Sequence, residues 1–201
     1  ASHANLGNYY MEKRDFSAAV KCFETATQLE PRQIGPWVNA AMAYTNMGQN
    51  DKAEACLRRA LAVDPASAAA NYNLGLLQAE QGHPNEAIQS LRKALDSDPN
   101  LASAAYNLSI LLGQNNLEET LRWAQKAHDL QPNEPKFACT LAYFLVEKGD
   151  ASKAVPVLQE TIRLAPDYFD SHLLLGAIYQ EQNDDAKAIA VYQNALENKS
   201  W

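Results

Sequence analysis

The chain has 201 residues, 47% hydrophobic and 20% charged, with a formal net charge of −7. That balance argues against a nucleic-acid partner, because a phosphate-reading surface needs a basic stripe. No apolar run approaches the roughly 18 residues that a spanning helix needs, so membrane insertion is not expected.

Prolines at 31, 65, 99, 132 and 166 set intervals of 34, 34, 33 and 34 residues. A sustained period of that size indicates helical hairpins stacked in an array. The repeats run 1–33, 34–67, 68–101, 102–134, 135–168 and 169–201, and read together as a single domain. Because the chain opens inside a helical pattern, it is expected to be a piece of a longer protein. Repeat 1 turns at Arg14-Asp15, with Asp15 placed to cap its second helix. Repeat 2 carries Trp37, expected in the core, and turns at Gly48-Gln49-Asn50. Repeat 3 turns at Gly82-His83-Pro84, where proline fits the first helical turn. Repeat 4 is one residue short and turns at Gly113-Gln114-Asn115-Asn116. Its second helix has Thr120 and Ala124 where a small-then-large pair is expected, with Trp123 placed to fill the missing volume. A local change of twist, rather than a domain boundary, is expected there. Repeat 5 turns at Gly149-Asp150 and sets Pro156 inside its second helix, predicting a kink. Repeat 6 turns at Asn183-Asp184 and ends without a closing proline. Its second helix bears Ile189, Val191, Tyr192 and Leu196, a face expected to support end-on self-association.

The pattern within the repeats is regular. First helices carry a large–small pair, Leu6-Gly7, Ala40-Ala41, Leu74-Gly75, Leu108-Ser109, Leu141-Ala142 and Leu175-Gly176. Second helices carry a small residue (Ala19, Ala53, Ala87, Thr120, Ala154, Ala188) and, four further on, Phe23, Leu57, Leu91, Ala124, Leu158 and Tyr192. Small residues let two helices approach closely while the large ones fill the seam. Six registers of this motif resemble the tetratricopeptide repeat (TPR) family across the whole chain. The resemblance implies an all-α TPR solenoid of twelve antiparallel helices in a right-handed superhelix.

Catalytic and metal signatures are not visible. His3, His83, His128 and His172 lack metal-ligand spacing, and no CxxC, phosphate loop or nucleophile set occurs, so neither an enzyme nor a cofactor is expected. His3 and His172 share the register of Trp37 and read as packing residues. Cys22 and Cys56 occupy one register of successive repeats, too far apart for a disulfide, so their thiols should be free. Free thiols suit a reducing compartment such as the cytoplasm.

In the TPR family the first helices line the concave groove. The resemblance therefore turns the second, fifth, sixth, ninth and thirteenth residues of each repeat inward. The expected peptide-binding groove holds Asn5, Asn8, Asn39, Met42, Tyr72, Asn73, Leu76, Tyr106, Asn107, Ile110, Cys139 and Tyr143. Glu12, Glu80, Glu147 and Glu181 place acid along one rim. The expected partner is a protein or an extended peptide with apolar anchors and basic flanks. Lysine is missing from the fifth positions, so capture of a terminal carboxylate is not expected. Asn5, Asn39, Asn73 and Asn107 form a row that resembles the TPR arm of O-linked N-acetylglucosamine transferases. It either bonds a bound backbone or bridges neighbouring helices. The alternative function is a substrate-recruiting arm of a larger enzyme, of glycosyltransferase or multihaem cytochrome type.

Overall fold

The computed structural model describes residues 2–198; the expectations on Ala1 and on residues 199–201 lie outside them. Twelve α-helices occur among the described residues, and no strand. They are α1 (Ser2–Glu12), α2 (Phe16–Leu29), α3 (Ile34–Asn46), α4 (Asn50–Val63), α5 (Ala68–Glu80), α6 (Pro84–Ser97), α7 (Ala102–Leu112), α8 (Leu117–Leu130), α9 (Pro135–Glu147), α10 (Ala151–Leu164), α11 (Phe169–Glu181) and α12 (Asp185–Glu197). The chain falls into two compact units, Ala1–Ala104 and Ala105–Trp201, the division lying within α7. In unit 1, α1 packs on α2, α3 on α4 and α5 on α6; in unit 2, α8 packs on α9, α9 on α10 and α11 on α12.

The repeat prolines act through the residue before them. Glu30, Asp64, Asp98, Gln131 and Ala165 each close a helix with ψ between 72° and 99°, and each donates its amide to the carbonyl four residues back. A following proline disfavours helical ψ at that position, so the helix stops there. Between the helices of a hairpin, the chain turns on a residue with positive φ: Arg14, Gly48, Gly82, Gly149 and Asn183. These follow the repeat register. Repeat 4 departs from it, placing positive φ at Gly113 and a 3-10 turn over Gly113–Asn116. Asp15 caps α2 as expected, its side chain accepting from the Ala18 amide at 3.0 Å, and Pro84 opens α6.

The seam works as the small–large pairing predicts. A Cβ built on Gly7 would lie 2.5 Å from the Phe23 ring, one on Gly75 2.9 Å from Leu91, and one on Gly176 2.3 Å from the Tyr192 ring. Phe23, Leu57, Leu91 and Leu158 are almost wholly buried. Each such side chain contributes about 1.5–3 kcal/mol of apolar burial, an upper range because the unfolded chain is itself partly collapsed.

Three expectations change. The space beside Ala124 is filled by Leu141 and Phe144, with Leu117 and Leu121 packed against them, rather than by Trp123. Trp123 instead donates its indole N–H to Glu119 at 3.2 Å, with Lys126 over its ring. Tyr192 belongs to the seam over Gly176 and donates to Gln180 at 2.9 Å, whereas Ile189 and Leu196 are exposed large hydrophobic residues of α12. His3 is exposed rather than packed. As for Pro156, α10 runs through it from Ala151 to Leu164 without a break. The Ser152 carbonyl that lacks a donor lies on the solvated side, where Ser152 and Pro156 are both exposed, so water can serve it.

Candidate functional site

Burial along the first helix of each repeat follows the groove register. The ninth positions stay open: Asn8, Met42, Ile110, Tyr143 and Ala177 are exposed and Leu76 is half-buried. The small members of the large–small pairs, Gly7, Ala41, Gly75, Ser109, Ala142 and Gly176, are all buried. The fifth positions divide by their neighbours. Val38 is buried against Ala60 and Ala70 and offers nothing to a groove, while Tyr72, Tyr106 and Cys139 are half-buried.

In unit 2 this face opens into a cavity of about 580 Å³ lined from three helices. Tyr106 and Ile110 come from α7, Cys139, Thr140, Tyr143 and Phe144 from α9, and Asp170, Leu173 and Leu174 from α11, with Tyr168 from the preceding loop. The walls are organised by rings. Tyr106 packs on Phe137 with centroids 4.9 Å apart, and Tyr143 meets Phe144 edge-on at 5.3 Å. Lys136 sits over the Tyr106 and Phe137 rings at 5.8 and 5.2 Å. Burial, and then the Asp170 charge, push the Cys139 thiol up to about 11. The Tyr168 hydroxyl is pushed up to about 12, first by burial and then by Cys139 and Asp170. Both groups stay protonated near neutral pH, so Cys139 serves as a small apolar wall rather than a nucleophile.

Unit 1 has a smaller counterpart. Met42, Asn73 and Leu76 share a pocket of about 170 Å³ with Ala41, Thr45, Asn46, Leu57, Leu77 and Glu80. Asn5, Asn8, Asn39, Tyr72 and Asn107 line neither cavity. Asn39 donates to the Asn8 side chain at 2.8 Å, bridging α3 to α1. Asn73 donates to the Ala69 carbonyl of its own helix at 2.8 Å. Asn39 and Asn73 of the amide row therefore have partners inside the fold.

Another register holds the repeat joints. Trp37 donates to the Pro31 carbonyl at 3.1 Å, and Asn71, one repeat later, donates to the Pro65 and Ser67 carbonyls at 3.0 Å. His172, in the same register, is fully buried with Nε2 3.0 Å from the Asn194 side-chain oxygen. Trp37 and Asn71 thus tie the start of a first helix to the loop before it, and His172 ties α11 to α12. The groove register takes in Asp170 only as one of six second positions, and it assigns no direction to Tyr168, which lies in a loop between repeats. Among the described residues, no group of three or more His, Cys, Asp or Glu could hold a metal ion, and no helix is long and apolar enough to cross a membrane.

Stacked hairpins with a small–large seam and an open first-helix face define a tetratricopeptide-repeat protein, a class built as protein-interaction scaffolds around extended binding surfaces. The profile of the cilia and flagella-associated protein 70 C-terminal domain matches residues 1–166, and that of the tetratricopeptide repeat matches residues 139–200. The chain belongs to the first of these families, and its last repeats match the second. No curated protein matches it. Among solved structures, Pseudomonas aeruginosa pilF is similar with a TM-score of 0.83 and 21% identity, over 94% of this chain and 87% of its own. MamA of Desulfovibrio magneticus RS-1 is similar with a TM-score of 0.69 and 22% identity, over 83% and 94%. YrrB, described as a TPR protein with an unusual peptide-binding site, gives 0.65 and 18% over 84% and 88%. At these identities the likeness speaks for the fold alone.

Proposed function

We propose that the chain holds an extended peptide segment of another protein on its first-helix face, and that the unit 2 cavity takes the peptide's apolar anchor. The observation that carries this reading is the cavity itself. About 580 Å³ of largely apolar, ring-lined space is enough for one or two large side chains. Tyr106, Ile110, Cys139 and Tyr143 form its walls; Met42, Asn73 and Leu76 offer a second, smaller contact in unit 1. The reading is of a binding module, not an enzyme. The glycosyltransferase form of the recruiting-arm alternative rests on the amide row, and the internal partners of Asn39 and Asn73 take support away from that form.

Panning a displayed random dodecapeptide library on the whole chain tests this. Ile110 is exposed, so Ile110→Glu should keep the fold while placing a charge in the cavity. Enrichment of peptides with a large apolar residue, lost on Ile110→Glu, is the expected result. Equal enrichment on that variant would refute the site.

A further inference from the structure

We propose that Asp170 selects the partner: the cavity takes a peptide whose apolar anchor is accompanied by a lysine or arginine, seated between the Asp170 carboxylate and the tyrosine faces. This rests on the peptide-binding reading above and adds the chemistry of the ligand. Among the described residues, Asp170 is the one charged side chain lining the cavity. Its charge acts on both the Tyr168 hydroxyl and the Cys139 thiol, which line the same cavity. No cation pairs with it among the described residues. A carboxylate in the first turn of a helix is ordinarily accounted for by the helix dipole. The repeat does not require one, however: α1, α3, α5, α7 and α9, which occupy the same place in their repeats, carry no acid in the first turn.

Lys136 is the competing charge. It lies one repeat back in the register of Asp170 and is drawn onto the Tyr106 and Phe137 rings. Its charge thus has a favourable seat on rings within the fold, whereas that of Asp170 borders the cavity. Tyr106, Tyr143 and Tyr168 border the same space, and ring faces attract a cation as well. Carboxylate and rings together suit an alkylammonium or guanidinium whose stem lies along Ile110 and Leu173.

The same library, panned in parallel on the whole chain and on Asp170→Asn, tests the inference. Asp170 is exposed, so this variant should keep its helical circular dichroism. Peptides enriched on the parent should carry Lys or Arg close to the apolar anchor, and those from Asp170→Asn should keep the anchor and lose the basic bias. Replacing that lysine with norleucine in a synthetic peptide should weaken binding to the parent by about fivefold to tenfold, and binding to Asp170→Asn hardly at all. A basic bias that persists in Asp170→Asn overturns the inference while leaving the peptide site standing. So does an acidic bias that Lys136→Gln removes. Failure to enrich any apolar anchor overturns the peptide-binding reading together with it.

Discussion

The two units carry one repeat register and present different surfaces. In unit 1 the first-helix face holds a pocket of about 170 Å³ edged by Asn46, Asn73 and Glu80, and Asn39 closes onto Asn8. In unit 2 the same face opens to about 580 Å³ between rings and aliphatic side chains. The register decides which positions face outward. Side-chain chemistry at those positions decides what the face can do: amides satisfy one another or their own helix, while Tyr106, Ile110, Tyr143 and Leu173 cannot and leave an apolar recess.

The largest effects should fall on what the units share. Leu91→Ala in unit 1 and Leu158→Ala in unit 2 each remove a fully buried seam residue, at a cost of about 2–5 kcal/mol. Urea unfolding should show losses of similar size; a negligible loss in either would mean that its seam is not the core. Binding should then separate the units. Tyr143→Ala should weaken an enriched peptide by about tenfold, a change of about 1.4 kcal/mol, with little change in melting. Met42→Ala should weaken it less than about twofold, since Met42 lies in the smaller pocket. Titration calorimetry that reversed this order would move the site to unit 1. Asn73→Ala should cost binding little, because the Asn73 donor is already bonded within its helix.

Alkaline pH offers a finer contrast. Cys139 and Tyr168 have raised pKa values in the folded state, about 11 and about 12 against 9.0 and 10.0. The folded chain thus keeps these protons more tightly than the unfolded chain does. Their contribution is complete below pH 9 or so and is lost as pH rises through 11 to 12. Burial, with Glu24 nearby, raises Cys56 and Tyr44 in unit 1 as well. Urea midpoints should therefore fall above about pH 9. Cys139→Ala should remove part of that fall and Cys56→Ala another part; a fall that neither variant alters would contradict this assignment. The smallest expected effect is a gain. Arg14 has φ of 58° with no need for its side chain in the seam, so Arg14→Gly should stabilise the first hairpin by about 0.5–1 kcal/mol. A lowered melting temperature would show that the arginine makes a contact worth more than the backbone strain.

The fold was legible because its determinants are local and repeated. Proline spacing sets the helix ends, and the pairs Gly7–Phe23, Gly75–Leu91 and Gly176–Tyr192 set the seams. Repeat 4 was less legible, since filling the space beside Ala124 depends on Leu121 and Phe144, whose inward direction follows from packing between helices and not from the motif. The candidate site was legible in part. Tyr106, Ile110, Cys139 and Tyr143 lie where their register placed them and share one cavity. The partners of Asn39 and Asn73 could not be read from register, because an amide can bond a neighbour, its own helix or a ligand with equal chemistry. Tyr168 was hidden by its place in a loop, where the repeat pattern assigns no direction.

Photo-crosslinking tests the central claim most directly. An enriched peptide carrying photo-leucine at its apolar anchor would be irradiated on the whole chain and the adduct mapped by mass spectrometry. The account predicts adducts on α7, α9 and α11, at or beside Ile110, Tyr143 and Leu173. Adducts confined to the Met42 and Leu76 pocket, or to the second helices of the repeats, would contradict it.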